Sequence, residues 1–408
     1  MIYRSFTRMR NVVLLALGAA LCPVAGTGAS AVAPRSLESE AVRRGVAWLV
    51  RAQHPSGGWG QGEEAASMGA GNANLRDTPN VADTSAAILA LMRTGSTPRS
   101  GENAAAVARG VRFILREVEG AEANSLYVTS VRGTRLQAKL GTYIDTFLAA
   151  MVLAEVKGKM PDEASNRAVA RALDSVMDRI ERNQLANGTW DNRGWAPVLA
   201  QAMAAKAVNR AAQAGVVVKE SVRTKTEDYS RQQFDKRTGG FGGEGSAGVP
   251  LYSSAGNLGA MQDSDDTNRG REAELRKKLA GAKDEAERRS ATQELDRIQG
   301  NRRDLQEARS AVVRQLGDAR FVSGFGSNGG EEFLSYMNIG ESLVAAGGEE
   351  WERWNRKMSD NVERIQNQDG SWTGHHCITG RNFCTSAALL VLTLDRTSSP
   401  IAARMRAR

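Results

Sequence analysis

Two helical patterns take turns along this chain. The first is amphipathic, with charged residues along one side, as in residues 44–52 (Arg-Gly-Val-Ala-Trp-Leu-Val-Arg-Ala). The second is apolar on most sides, as in residues 83–91 (Asp-Thr-Ser-Ala-Ala-Ile-Leu-Ala-Leu), and it returns at 145–153, 197–203, 252–258, 333–339 and 385–392. A helix with a charged side faces water, and one that is apolar nearly all round is buried. A pair of this kind cannot bury its own dry face and must stack on neighbouring pairs. Six pairs predict an all-α fold, a six-hairpin α/α toroid over residues 38–395, with the dry helices ringed about a central cavity.

The wet helix ends at a recurring turn. Gln53-x-x-x-Gly57-x-Trp59 comes back as Gln184-x-x-x-Gly188-x-Trp190 and as Gln366-x-x-x-Gly370-x-Trp372. Partial copies keep one half of the pattern. Residues 109–114 match the helix half, with Val118 where the Gln would stand, and residues 239–241 and 324–326 match the turn half, with Phe241 and Phe325 in place of Trp. The Gly permits positive φ just past a helix end. The aromatic ring packs back on the helix ends, and the Gln amide is expected to bond backbone groups of the next repeat. Segment 44–59 resembles the QW repeat of the prenyltransferase/squalene-cyclase repeat superfamily. That resemblance covers nearly all of 38–395 and implies the toroid, while chemistry must be argued from sites.

Residues 263–318 interrupt the repeat with a composition rich in Arg, Glu, Lys, Ala and Gln. Leu295, Ile298, Leu305, Ala308, Val312 and Leu316 make a spaced apolar stripe, and Leu275 and Leu279 stand four apart. The spacing predicts a helical hairpin with a coiled-coil-like seam. Its two helices project from the ring, or they lengthen the fourth dry helix and the fifth wet one. The stripe serves either the hairpin itself or a docking arm for a protein partner.

Residues 1–31 read as a signal peptide. Arg4, Arg8 and Arg10 precede an apolar core at 12–21, and Ala29-Ser30-Ala31 forms a small-residue cleavage site. Export to the periplasm or the medium follows, with the mature chain beginning near Val32. The apolar core is short for a membrane span, and no other segment would serve as one. The formal charge is +8, to which the leader contributes three Arg. Basic and acidic residues are interspersed, with no aromatic-interleaved basic stripe, so a nucleic-acid partner is not expected. A basic tail occupies residues 396–408.

Candidate chemistry lies in three places. Asp263-Ser264-Asp265-Asp266-Thr267 has the form of the motif that, in the squalene–hopene cyclases it resembles, supplies a protonating acid. Such an acid needs a dry site and a like-charged neighbour to stay neutral. Here the motif runs into the charged segment Asn268-Arg269-Gly270-Arg271-Glu272, which favours a chance match at a helix junction. Asp83 and Asp145 open two dry helices, where a carboxylate serves as a cap. With Tyr143, Trp195, Tyr252, Glu332 and His376 they are also candidates for a polar and aromatic cavity mouth. A carbohydrate-active toroid would draw its two carboxylates from Asp83, Asp145 and Glu332.

Cys22 leaves with the leader, so Cys377 and Cys384 remain as an even pair in an oxidising compartment, where a disulfide is expected. Zinc held by His376, Cys377 and Cys384 is the alternative, since zinc accepts imidazole and thiolate. A nucleophilic Cys with a His base is a third reading. The Asp-x-Cys pattern of the protein prenyltransferases and the Cys-Gly-Glu-Gln run of the thioester-bearing toroids are both absent. The expected function is therefore binding or assembly through cavity and arm, with an apolar small molecule as ligand and no cofactor. The alternative is an enzyme acting on an isoprenoid or other apolar substrate.

Overall fold

The computed structural model describes residues 39–65, 73–326 and 328–396. The expected leader, Cys22 and the basic tail beyond Arg396 lie outside the described residues. Wet and dry helices alternate as follows. Helix α1 (Glu40–Arg51) precedes α2 (Val81–Arg93); α3 (Ala104–Gly120) and the short α4 (Arg135–Lys139) precede α5 (Ile144–Val156). Then come α6 (Glu163–Arg182) with α7 (Pro197–Gln213), and α8 (Glu220–Gln232) with α9 (Pro250–Gly281). Helices α10 (Glu285–Gln315) and α11 (Ala319–Val322) precede α12 (Gly330–Ala346), and α13 (Glu349–Arg364) precedes α14 (Arg381–Leu392). A two-stranded antiparallel ribbon pairs Phe234 with Phe241 and Asp235 with Gly240.

The dry helices pack in the order α2, α5, α7, α9, α12, α14, and α14 returns to α2. The ring is closed, and the fold is an α/α toroid. Its inner wall is dry because the inner helices carry apolar residues on nearly every side. In α5, Phe147, Val152 and Leu153 are fully buried.

The recurring turn explains why the pairs form a ring. Gln53 Nε2 donates to the Gly57 carbonyl of its own turn (2.7 Å) and to Ala106 O of α3, the next outer helix (2.9 Å). Gln184 does the same with Gly188 O and with Val222 O and Thr226 Oγ1 of α8. Gln366 bonds Gly370 O and then Ala41 O of α1, so the last repeat is fastened to the first. Each Trp indole N–H donates to the outer-helix carbonyl ten residues back, from Trp59 to Leu49, Trp190 to Ile180 and Trp372 to Val362. The turn glycines have φ of +94°, +86° and +96° at 57, 188 and 370. A Cβ at 57 or 370 would stand 2.6 or 2.7 Å from the carbonyl oxygen of Arg109 or Arg44 on the next outer helix.

Where the second repeat lacks the Gln, the neighbour reaches back instead. The buried Arg179 of α6 donates to the carbonyls of Ala121, Ser125 and Tyr127 in the loop after α3. The two turns with Phe differ from expectation. Phe241 pairs with Phe234 in the ribbon, ring centroids 5.3 Å apart. Phe325 is 56% exposed and anchors no helix end, because its turn leads into α12 across the mouth of the ring.

Helices α9 and α10 are 32 and 31 residues long and pack on each other. Helix α9 is the fourth inner helix continued past the ring without a break, and α10 is the fifth outer one. The stripe Leu295, Ile298, Leu305, Ala308 and Val312 is buried inside this hairpin and against the ring. Ion pairs sew the same faces, including Arg297 to Glu227 (2.6 Å) and Arg302 to Asp265 (2.8 Å). What the arm shows to water is charged, as at Arg276, Lys277, Lys278, Arg288 and Arg289. Among the described residues no helix is long and apolar enough to cross a membrane.

Closure through the last turn is measurable by paired substitutions. Gly158 also has positive φ (+76°), but a Cβ there meets nothing within 4 Å. Gly158→Ala is expected to cost about 1 kcal/mol for backbone strain alone, and Gly370→Ala roughly 2–4 kcal/mol because it also pushes α1 away. Chemical denaturation compares the two, and equal losses would show that the fastening contributes nothing.

Candidate functional site

The inner helices carry a stripe of cavity-facing residues at helical spacing. Leu89 and Met92 of α2, Leu148 and Met151 of α5, Met203 of α7, and Leu334 and Met337 of α12 share the wall with Phe383 and Leu390 of α14. They enclose a cavity of about 80 Å³ that opens at the surface. Methionine from four different helices gives a wall that is apolar and able to adapt to what it holds.

One or two turns further along, the same stripes turn charged. Arg93, Glu155, Arg210 and Glu341 also line the cavity, toward the C-terminal ends of α2, α5, α7 and α12. Glu341 accepts from Arg93 (2.8 Å) and from Lys206 (2.7 Å), and Lys206 also donates to Asp263 (2.7 Å). Burial opposes the Glu341 charge, but Lys206, Arg93 and Arg210 outweigh it and hold its pKa below the ordinary value. Burial likewise opposes the Lys206 charge, and Asp263 and Glu341 reverse the balance and raise its pKa.

The Asp-x-Asp-Asp motif is thus not at a helix junction. It lies inside the unbroken α9, where that helix leaves the ring, and its first and third residues are buried ion-pair members. Asp263 is bonded to Lys206, while Asp265 accepts from Arg269 and Arg302, both at 2.8 Å. Asp266 accepts from Gln262 (2.8 Å), and burial together with Asp263 pushes its pKa up to about 7.

The opposite end of the ring, where the inner helices begin, is packed with polar side chains. Asp83 accepts from the Asn80 amide (2.7 Å). Asp145 accepts from Ala82 N of α2 (3.0 Å) and from Gln137 (2.8 Å), so one inner helix caps its neighbour. Both carboxyls are 1% exposed and line no mouth. Burial raises the Asp83 pKa and raises that of Asp145 to about 6.

Trp195, Tyr252, Glu332 and His376 do come together. Trp195 meets Tyr252 and Phe325 edge-on at 5.9 and 5.2 Å, and Phe325 meets His376 at 5.2 Å. Tyr143 instead packs on Tyr127. Glu332 accepts from the Tyr252 hydroxyl, from Phe325 N (3.1 Å) and from Gly329 N (3.0 Å), and His376 Nε2 lies 3.1 Å away. Beside it Glu331 is fully buried. It accepts from Ile378 N, and its Oε1 has no hydrogen-bond partner. Burial and the neighbouring Glu332 push the Glu331 pKa up to about 7.

Glu331, Glu332 and His376 each bring one ligand atom within 4.8 Å of the others, which is the geometry of a cation site. The set does not suit zinc as it stands, because the Glu332 oxygens are already taken by three donors and the imidazole. The zinc reading from His376, Cys377 and Cys384 is not the set that assembles. Cys377 and Cys384 are both buried and free, and the expected disulfide is not formed. The Cys384 thiol is directed at Ile378 O (3.4 Å), and burial raises its pKa, so it stays a thiol.

Sequence reasoning passed over Lys206, Arg210, Glu331 and Glu341. The signal was present in residues 203–210 (Met-Ala-Ala-Lys-Ala-Val-Asn-Arg), since a cation in a dry helix demands a buried partner.

Comparison with known proteins agrees with this architecture. The family model of the squalene-hopene cyclase C-terminal domain matches residues 23–130. An inactive variant of an α-1,6-mannanase, GH76A of Salegentibacter sp. HEL1_6, solved in complex with α-1,6-mannotriose, superimposes with a TM-score of 0.50. It is 10% identical, and the match covers 88% of this chain and 98% of that one. At that identity the likeness concerns the fold alone. No curated protein sequence matches the chain. The family match and the shared fold support the resemblance to the toroid superfamily drawn from the QW repeats.

The buried acids give a pH signature. Glu331 titrates near 7 when folded against 4.5 as a free side chain, so the folded state binds the extra proton between those values. Its contribution to stability therefore grows as pH falls from 7 toward 4.5 and is lost above 7; Asp145 and Asp266 act in the same sense. Glu331→Gln is expected to remove about 2 kcal/mol of the stabilisation gained between pH 7.5 and 5. Urea titrations at the two pH values measure it, and an unchanged slope would assign the effect elsewhere.

Proposed function

We propose that this is an exported ligand-binding toroid that takes an apolar small molecule into its central cavity. The observation that carries the reading is the wall itself, with Met92, Met151, Met203 and Met337 contributed by four inner helices and Phe383 by a fifth. An apolar wall bordered by a few charged groups at one end has the make-up of a small-molecule site. The end where the inner helices begin is occupied by caps and their partners, so the ligand enters from the charged end.

The reading as an isoprenoid cyclase requires a neutral carboxyl aimed at the substrate. Asp263 and Asp265 are tied into ion pairs with Lys206, Arg269 and Arg302, Asp266 is bonded to Gln262, and none of the three lines the cavity, which favours binding over protonation of a bound alkene. Export rests on the leader pattern at 1–31.

The neutral fluorescent probe N-phenyl-1-naphthylamine is expected to bind at one site, and Ala387→Phe, which fills the cavity, to weaken binding about tenfold or more at a folding cost of about 1–3 kcal/mol. Unchanged affinity in a folded Ala387→Phe protein would sink the cavity as the site. Intact mass of protein recovered outside the cytoplasm is expected to begin at Val32, and a chain retaining Met1 would contradict export by cleavage.

A further inference from the structure

In the charged layer every ionic side chain but one has a direct partner. The carboxylates facing Arg210 from the surrounding helices are Glu155 on α5, Asp263 and Asp266 on α9, and Glu341 on α12. Each is bonded to something else. Glu341 is taken by Arg93 and Lys206, Asp263 by Lys206, Glu155 by Lys159 (2.8 Å) and Asp266 by Gln262. Among the described residues the Arg210 guanidinium makes no hydrogen bond and no ion pair; the four carboxylates act on it only through space. A guanidinium carries five N–H donors, and those of the half-buried Arg210 stand at the opening without a protein acceptor.

The position of Arg210 narrows what those donors await. Arg210 and Glu155 line the cavity and also line a surface depression with Lys157, Lys159 and Gln213. Arg210 therefore stands where the apolar wall meets the outside, with Met203 two turns deeper on the same face of α7. A ligand held there has an apolar body inward and its polar end at the guanidinium. A planar fork of donors pairs bidentately with a carboxylate or a phosphate, and the charge balance chooses between them. One unpaired cation answers one negative charge. Arg93, Arg396, Lys157 and Lys159 stand nearby but are already engaged, so among the described residues a doubly or triply charged head beside Glu155 and Glu341 would find one free cation.

We propose that the cavity takes a monoanionic amphipath, an apolar chain ending in a single carboxylate, and that Arg210 is the residue that holds its head. The proposal rests on the cavity reading above and adds the class of ligand. It requires no covalent step. The tail packs on the methionine wall, and the carboxylate supplies the acceptors that Arg210 lacks.

The test compares dodecanoate, dodecanol and dodecyl phosphate by isothermal titration calorimetry on the full mature chain and on Arg210→Met and Arg210→Lys. Dodecanoate is expected to bind the native protein about tenfold or more tightly than dodecanol, as a charge-assisted hydrogen bond implies. The dianionic phosphate is expected to bind more weakly than the carboxylate. Arg210→Met should remove the preference for the acid while leaving dodecanol affinity within about twofold, and Arg210→Lys should keep part of it. Equal binding of acid and alcohol by the native protein overturns the head-group assignment and leaves the cavity reading standing. Stronger binding of the phosphate overturns the single-charge argument. Binding of none of the three overturns both. Should Arg210→Met fail to fold, the native comparison and Arg210→Lys still decide the matter.

Discussion

A glutamine amide that bonds two carbonyls at once, one in its own turn and one on the next outer helix, is the contact from which the architecture follows. Each such bond contributes only about 1 kcal/mol net. Its importance is topological. No helix pair in this chain can bury its dry face alone, so every pair depends on its neighbours. Gln366 carries the dependence from the last repeat to Ala41 in the first, and an array that could have remained an open superhelix becomes a ring. Arg179 shows that the position rather than the residue matters, since it joins the second and third repeats from the opposite side.

Ring closure also forces a difference between the two ends. All six inner helices run the same way, so their N–H-bearing ends gather at one mouth and their carbonyl ends at the other. Carboxylates are favoured at the first and cations at the second. The chain follows this. Asp83, Asp145, Glu331 and Glu332 stand at the starts of α2, α5 and α12, and Arg93 and Arg210 in the last turns of α2 and α7. The first mouth is consumed by capping and packing, and the second keeps a charged layer over an apolar chamber.

Most of the ring could be read from the amino-acid order because hydrophobic period and turn chemistry are local properties. The Gln-x-x-x-Gly-x-Trp turns and the six dry stretches needed no tertiary information. The site was less legible. Tyr252, Glu332 and His376 meet as a group, yet Asp83 and Asp145 are sunk in capping bonds, and burial depth is not written in a helix-start motif. The Asp263–Asp266 segment reads as charged and exposed in isolation. Its environment is set by Lys206, Arg302 and Glu341, which lie far away in the chain. The cysteines were paired by compartment logic, whereas the fold turns the Cys384 thiol toward Ile378 O.

Helix α9 is a single rod that serves two bodies. Its first half is a stave of the inner wall, and its second half is the spine of the protruding hairpin. Asp263 and Asp265 mark the crossing point, one gripping the wall through Lys206 and the other gripping the hairpin through Arg302. Asp263 holds Lys206, and Lys206 also holds Glu341, so the root of the protruding hairpin and the ionic layer at the chamber's entrance belong to one chain of contacts.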